Sequence, residues 1–339
     1  MIAETPASPP LVPLPEPGSA YALPRIPYLR LRFVLRSVEP AVLPPFKGSL
    51  LRGAFGHALR RATCSMGPGH ECCDCLLRRA CLYTRLFETF IEDEPPPFLR
   101  GLPTSPRPYV FETVTETTEF EPGDPLCFDL LLFGQATGLA AHALLAVERM
   151  ALGGLGAHRF PFVLDKAGAG LANGGWQEIY KEGRPSPALA NVTPRFPSEA
   201  PVGEERITLS FLTPTRLQVR GQLQEEPGFR ALVFAMLRRT LELAWFHLPS
   251  AKIDWCLRPL LDRASPVRVA SSDLRWQEWQ RYSNRQQRKI SLGGFVGTMD
   301  LEGDLAPFGP LLRAAEVLHL GKGATFGLGR VKVDPFFEN

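Results

Sequence analysis

The stretches GGLGAHRFPFVL (Gly153–Leu164) and FGLGRVKV (Phe326–Val333) decide how this chain folds. Each is a Gly-Leu-Gly turn, at 154–156 and again at 327–329, that leads into a short apolar strand. Upstream of both, the same elements come in the same order. In the first unit, Leu29, Leu31, Phe33 and Leu35 alternate with Arg30, Arg32 and Arg36, the pattern of a half-buried strand over Tyr28–Arg36. Leu50, Leu51, Ala54, Phe55, Ala58 and Ala62 then recur at helical spacing. A strand near Pro108–Phe111, an apolar strand at Leu126–Phe133 and a helix at Leu139–Met150 complete the approach to the turn. The second unit repeats this plan. It has a strand at Ile207–Leu212, a helix through Phe229, Leu232, Val233, Met236, Leu237, Leu241 and Ala244, and a strand near Pro266–Ala270. An apolar strand at Ile290–Val296 and a helix over about Leu305–Ala315 follow. Strand, helix, strand, strand, helix, strand, twice over, is a duplicated ferredoxin-like arrangement, with helices on one face of an antiparallel sheet. The expected class is α+β: two tandem ferredoxin-like (RRM-like) domains with a C-terminal glycine-rich loop.

Composition agrees with two folded units. A chain of 339 residues exceeds one typical core, and 45% apolar with 22% charged residues excludes wholesale disorder. No apolar run is long enough to cross a membrane, and the N-terminus lacks the pattern of a secretory signal, so a cytoplasmic protein without a membrane partner is expected. Of the 34 prolines, eight fall in residues 1–27, which read as an extended, disordered tail. A second cluster, Pro185, Pro187, Pro194, Pro197 and Pro201, reads as a linker over 184–203. The domains are therefore expected at 28–183 and 204–339.

The net charge of +3 conceals two basic segments. Residues 28–61 hold Arg30, Arg32, Arg36, Lys47, Arg52, Arg60 and Arg61 against Glu39 alone. Residues 275–289 hold Arg275, Arg281, Arg285, Arg288 and Lys289 against Glu278, interleaved with Trp276, Trp279 and Tyr282. Cations mixed with aromatic rings suit single-stranded RNA, neutralising phosphates and stacking bases. A solvated helical face with rings packed inward fits the same residues. In the C-terminal loop, Gly321, Gly323, Gly327 and Gly329 allow backbone N–H groups to approach a phosphate chain, while Lys322 and Arg330 add charge. It is not a nucleoside-triphosphate loop, because no GxxxxGK[ST] pattern precedes a helix there. Arg281, Arg285, Gln286, Arg288, Gly321, Gly323 and Arg330 are the expected RNA contacts, with Arg30, Arg32 and Lys47 a weaker group.

Five of the seven cysteines crowd between Cys64 and Cys81. Cys72 and Cys75 form a CxxC pair flanked by Cys64 and Cys81, a set of four thiolates that suits structural zinc or an iron–sulfur cluster. Cys73 is out of register and His70 is a reserve ligand. Unliganded thiols in a loop are the bland alternative, and an iron–sulfur redox protein is a third reading of the whole chain. The cluster reads as a staple on an insertion over 64–90. Cys127 and Cys256 lie in apolar settings that suggest core positions.

In LTPTRL (Leu212–Leu217), WQRYSNRQ (Trp279–Gln286), LGGFVG (Leu292–Gly297) and the terminal LHLGKGATFGLGR, the sequence resembles the CRISPR repeat-RNA processing endoribonucleases of the RAMP superfamily. KGSLLRGAFGHALRR, ahead of the cysteines, is similar to the bacterial branch of that family. The resemblance spans about residues 28–335. It implies two ferredoxin-like domains and metal-independent cleavage of precursor CRISPR RNA within its repeats. There the ribose 2′-hydroxyl attacks the adjacent phosphate, leaving a cyclic phosphate and a 5′-hydroxyl. The implied partner is the repeat hairpin with its flanking single strand, along with other CRISPR effector subunits. A catalytically inactive, repeat-binding subunit of an effector complex is the alternative. The chemistry asks for a base, an acid and cations around the phosphate. Family members often place a histidine on or near the first helix, which makes His57 the first choice as catalytic residue. His319 is its rival or acid–base partner, and Tyr282 and Lys322 are helpers. His142, His158 and His247 read as packing or capping residues.

Overall fold

A computed structural model of the chain describes residues 23–67, 69–203, 205–219, 221–249, 251–283 and 288–335, with the backbone alone for 280–283 and 288–290. The first domain consists of β1 (Tyr28–Ser37), α1 (Gly48–Thr63), β2 (Tyr109–Thr113), β3 (Pro125–Phe133), α2 (Ala140–Leu152) and β4 (Phe162–Gly170). Its strands lie in the order β2-β3-β1-β4, all neighbours antiparallel, which is the ferredoxin-like order. A further strand, β5 (Trp176–Lys181), and the two-residue strand Arg184–Pro185 extend the sheet beyond β4.

The second domain repeats the plan with β6 (Arg206–Thr215), α3 (Phe229–His247), the short α4 (Arg258–Ala264), β7 (Arg268–Gln277), β8 (Gln280–Ser283), β9 (Arg288–Ser291), β10 (Gly294–Glu302), α5 (Gly309–Leu318) and β11 (Val331–Pro335). The four-stranded sheet runs β7-β10-β6-β11, the same order as the first. The protein is thus a double ferredoxin-like fold.

Two elements depart from expectation. The return strand is not Ile290–Val296 but β10, because the buried alternation continues through Phe295, Met299 and Leu301. Ile290 belongs instead to β9, which pairs with β8 and carries the aromatic-basic segment out as a β-hairpin rather than a helix. The proline-rich stretch 184–203 is also partly built into the first domain. Leu189 and Val192 pack on its core, and Arg195 exchanges backbone hydrogen bonds of 2.7 Å with Tyr28.

Alternation along β1 explains how the two halves meet. Leu29, Leu31, Phe33 and Leu35 turn toward α1 and α2, where Leu51, Phe55, Leu59, Leu144 and Val147 cover them. The opposite face of this sheet presents Tyr28, Val110, Leu131 and Phe133, and the second domain's helices cover it. Leu243 of α3 and Ala314, Val317 and Leu318 of α5 complete this junction cluster. Ile207, Leu209 and Phe211 of β6 build a separate second core with Leu232, Met236 and Leu237 of α3.

The glycine-rich loop after α5 closes the junction. A Cβ on Gly327, which sits at φ 87°, would lie 2.4 Å from the Phe111 carbonyl oxygen on β2. At the start of α1, a Cβ on Gly48 would lie 1.8 Å from the carbonyl oxygen of Phe326. Both glycines are needed because backbone meets backbone across the domains. Gly327→Ala is expected to lower stability by about 1–3 kcal/mol, through strain and forced separation of the halves. A reduced urea midpoint at unchanged urea dependence would show it, and a wild-type midpoint would contradict the packing.

Candidate functional site

At the centre of the junction is the Glu112 side chain, 3% exposed, on the β2 face turned toward the second domain. Arg30 on β1 donates to it at 2.8 Å and to Asp129 of β3 at 3.0 Å, and Arg32 holds Asp129 at 2.7 Å. From the second domain, Arg330 lies 3.5 Å away and His319 Nε2 donates to Glu112 Oε1 at 2.9 Å. The other ring nitrogen of His319 lies 3.0 Å from the Leu328 carbonyl. Both neighbours accept, so only a ring bearing hydrogen on each nitrogen satisfies the two contacts. Burial opposes charge on Glu112, but the His319 hydrogen bond and the Arg30 and Arg330 charges outweigh it and bring its pKa down to about 2.

This geometry relocates several expected site residues. His319 is fully buried and spans the two domains, so it faces no substrate surface. Arg30 and Arg32 are committed to carboxylates, and Lys47 is buried with its amine directed to the carbonyls of Pro45 and Glu116. In the glycine-rich loop, the N–H groups of Leu320, Lys322, Phe326, Gly327, Gly329 and Arg330 already bond within the domain. The backbone of Gly321, where a Cβ would lie 2.3 Å from the Arg216 carbonyl oxygen, is pressed against Arg216, and a Cβ on Gly323 would meet Leu328. Lys322 is exposed.

The loop, the hairpin and the start of α1 converge. Arg216, whose carbonyl accepts from the Lys322 N–H, donates to the Ser291 carbonyl of β9 at 2.8 Å. At the root of the hairpin, Trp276 donates to Glu278 at 3.1 Å, and the Trp279 ring stacks on Phe46 at 4.3 Å, just ahead of α1. Arg52 of α1 lies over Phe87 at 4.1 Å and Phe326 at 5.7 Å. The hairpin therefore stands on both domains. Phe46 and Arg216 were missed by sequence reasoning, because an isolated ring or cation carries no positional signal. Of the expected hairpin contacts, Arg281, Tyr282 and Arg288 are placed on β8 and β9 by backbone alone, and Arg285 and Gln286 lie outside the described residues.

His57 is exposed on α1, with the exposed Arg61 one turn further along. It lies far from His319 in environment, and the two do not share an accessible surface. His158, expected to pack or cap, is exposed as well. His247 is the opposite case: buried, 2.6 Å from the Pro106 carbonyl, with its pKa pushed down to about 4 chiefly by burial.

The four-thiolate metal site gains no support. Among the described residues, no group of three or more His, Cys, Asp or Glu side chains is placed to hold a metal ion. Cys72 and Cys81 pack partly buried against the first core as small apolar groups, while Cys73 is exposed and reaches Asp74. Cys64 and Cys75 are half-buried.

Comparison with known proteins agrees with this architecture. The family model of the CRISPR-associated endoribonuclease Cas6 matches residues 209–331, and the N-terminal domain model AF_1859_N matches 26–193. Residues 209–331, most of the second domain, therefore match the Cas6 family. Among solved structures, a Cas6 product complex is 18% identical, with a TM-score of 0.54 over 90% of this chain and 98% of that one. Thermus thermophilus Cas6 is 16% identical, with a TM-score of 0.50 over 91% and 98% of the respective chains. A partial Cas6-RT-Cas1–Cas2 complex gives 12% identity and 0.55 over 92% of this chain but 47% of that one. No curated protein matches significantly. Among the described residues, no helix is long and apolar enough to cross a membrane.

The junction makes stability depend on acid in a defined way. Glu112 has a depressed folded-state pKa, so the stability it contributes is complete above its unfolded value near 4.5 and is lost as pH falls toward 2. His247, also depressed, adds a loss between about 6.5 and 4. Glu112→Gln should remove the steeper limb below pH 4.5 in denaturant titrations, and it should cost about 3–5 kcal/mol at pH 7 by stranding buried cations. An unaltered low-pH limb would contradict the assignment.

Proposed function

We propose that this protein is a Cas6 endoribonuclease that cuts CRISPR repeat RNA by attack of a ribose 2′-hydroxyl on the neighbouring phosphate, with His57 as the base. Support for this reading comes from His57 itself. It is an accessible imidazole with a cation one helical turn away, on a helix that carries no acidic residue. An accessible imidazole can take up the 2′ proton as a general base. The hairpin and Lys322 supply the RNA-binding side. β8 and β9 hold Arg281, Tyr282, Arg288 and Lys289, and their root is fixed to both domains through Arg216 and the Trp279–Phe46 stack. A nucleic acid lying along the hairpin thus meets a surface whose position relative to α1 is fixed.

The Cas6 match of residues 209–331 and this surface support the substrate class: repeat RNA with a small hairpin and adjoining single strand. The reaction requires a 2′-hydroxyl and ends in a cyclic phosphate and a free 5′-hydroxyl.

Purified protein incubated in EDTA with the repeat RNA of its own genome should cleave it. The same RNA with a single 2′-deoxy residue at the cut should be bound and left intact. His57→Ala should slow single-turnover cleavage by about 10²–10⁴-fold without weakening binding. Binding without cleavage by the wild type would replace this reading with that of an inactive repeat-binding subunit. Lys322→Ala should reduce the salt dependence of binding by about one phosphate contact. An unchanged slope would remove Lys322 from the interface.

A further inference from the structure

Departure of the 5′ oxygen needs a proton, and His319, sealed against Glu112, cannot deliver one. The first domain holds another imidazole beside His57. On α1, steps of seven and four residues return to nearly the same azimuth, so Leu50, His57 and Arg61 form one stripe. The turn Gly153–Phe160 runs alongside it. At one end, Arg61 Nη2 lies 3.4 Å from the position a Cβ on Gly153 would take. At the other, Leu50 Cδ1 lies 3.9 Å from the equivalent position on Gly156. His57 falls between these two contacts. Gly53, a turn before it, faces open space, since a Cβ there would meet nothing within 4 Å.

The turn is a tight hairpin. Leu155 and Phe160 exchange backbone hydrogen bonds of 2.8 and 2.9 Å, and the Arg159 N–H donates to Gly156 at 3.3 Å. Its tip projects His158 and Arg159, both exposed. Phe160 lies 3.8 Å from the Cβ position of Gly156, and the His158 ring rests against Phe160 at 5.7 Å between centroids. Arg159 is held at φ 55°, a left-handed conformation that a non-glycine residue adopts only at some cost. Arg61, Arg149 and Arg159 are exposed and form no ion pair among the described residues. Neither α1 nor the turn contains an acidic residue, and Glu148 of α2 is engaged by the Tyr180 hydroxyl at 2.7 Å. An uncompensated positive strip that carries one exposed imidazole on α1 and another on the adjoining turn is suited to a phosphodiester.

We propose that His158 is the general acid of the cleavage, acting with His57 on a phosphate bound where α1 and this turn adjoin, with Arg61 and Arg159 holding the scissile phosphate. The assignment rests on the endoribonuclease reading above. Neutral His57 takes the 2′-hydroxyl proton as O2′ bonds to phosphorus. The P–O5′ bond breaks, its electron pair passes to O5′, and protonated His158 gives that oxygen a proton. The products are a 2′,3′-cyclic phosphate and a 5′-hydroxyl, and the two imidazoles finish with exchanged protonation.

A repeat RNA carrying sulfur in place of the bridging 5′ oxygen at the cut tests this, because a thiolate leaves without a proton. His158→Ala should slow single-turnover cleavage of the ordinary RNA by about 10²-fold or more. It should come within a few-fold of wild type on the sulfur-bridged RNA, whereas His57→Ala should be slow on both. Wild-type rates for His158→Ala on ordinary RNA, or equal losses on the two substrates, would overturn the assignment while leaving the nuclease reading intact. A wild-type protein that cuts neither RNA would remove the nuclease reading and this assignment with it.

Discussion

A carboxylate removed from water has to be answered by positive charge, and the Glu112 side chain is answered from both halves of the chain at once. Arg30 comes from the strand beside it, while His319 and Arg330 come from the two ends of the second domain's glycine-rich loop. Withdrawing the second domain would leave the charge half-paired, and withdrawing the first would bare the apolar sides of α3 and α5. The relative placement of the domains is therefore set by electrostatics at the centre and by Val110, Leu131, Phe133, Leu243 and Leu318 around it. Every element that meets nucleic acid in the proposed function is hung from this joint.

The glycine-rich loop shows how the same residues can be read in two ways. Its four glycines suggested a cradle for phosphate, yet three of them make close backbone approaches, at Arg216, Phe111 and Leu320, and most of its N–H groups are occupied. Glycine permits close approach whatever the approaching group is. At Gly327 that group is the neighbouring domain. The corresponding turn of the first domain is free of that duty, and it carries His158 and Arg159 outward.

Most of the fold was legible because alternation in β1, β3 and β6 and helical spacing in α1 and α3 are local patterns imposed by a single core. The duplication followed from their order. What was not legible depends on partners distant in sequence. Nothing near His319 announces that Glu112 lies 207 positions away, although the outward arginines of β1 hinted that acids must face them on β2 and β3. The hairpin was obscured because Ile290 is apolar and invites a place in the core strand, whereas pairing assigns it to Arg281. Of the candidate site, the residue type and helix of His57 were readable, but its neighbours were not, because α1 and the Gly153–Phe160 turn meet only in the packed domain.

The first sheet is covered on one face by its own helices and on the other by those of the second domain. Each half thus supplies a wall that the other lacks, and the two repeats are no longer interchangeable modules. A chain cut between them would yield two fragments with bare apolar flanks rather than two small proteins. After duplication, substitutions on the outer face of the first sheet became answerable to α3 and α5, so the two copies were bound to diverge as a matched pair.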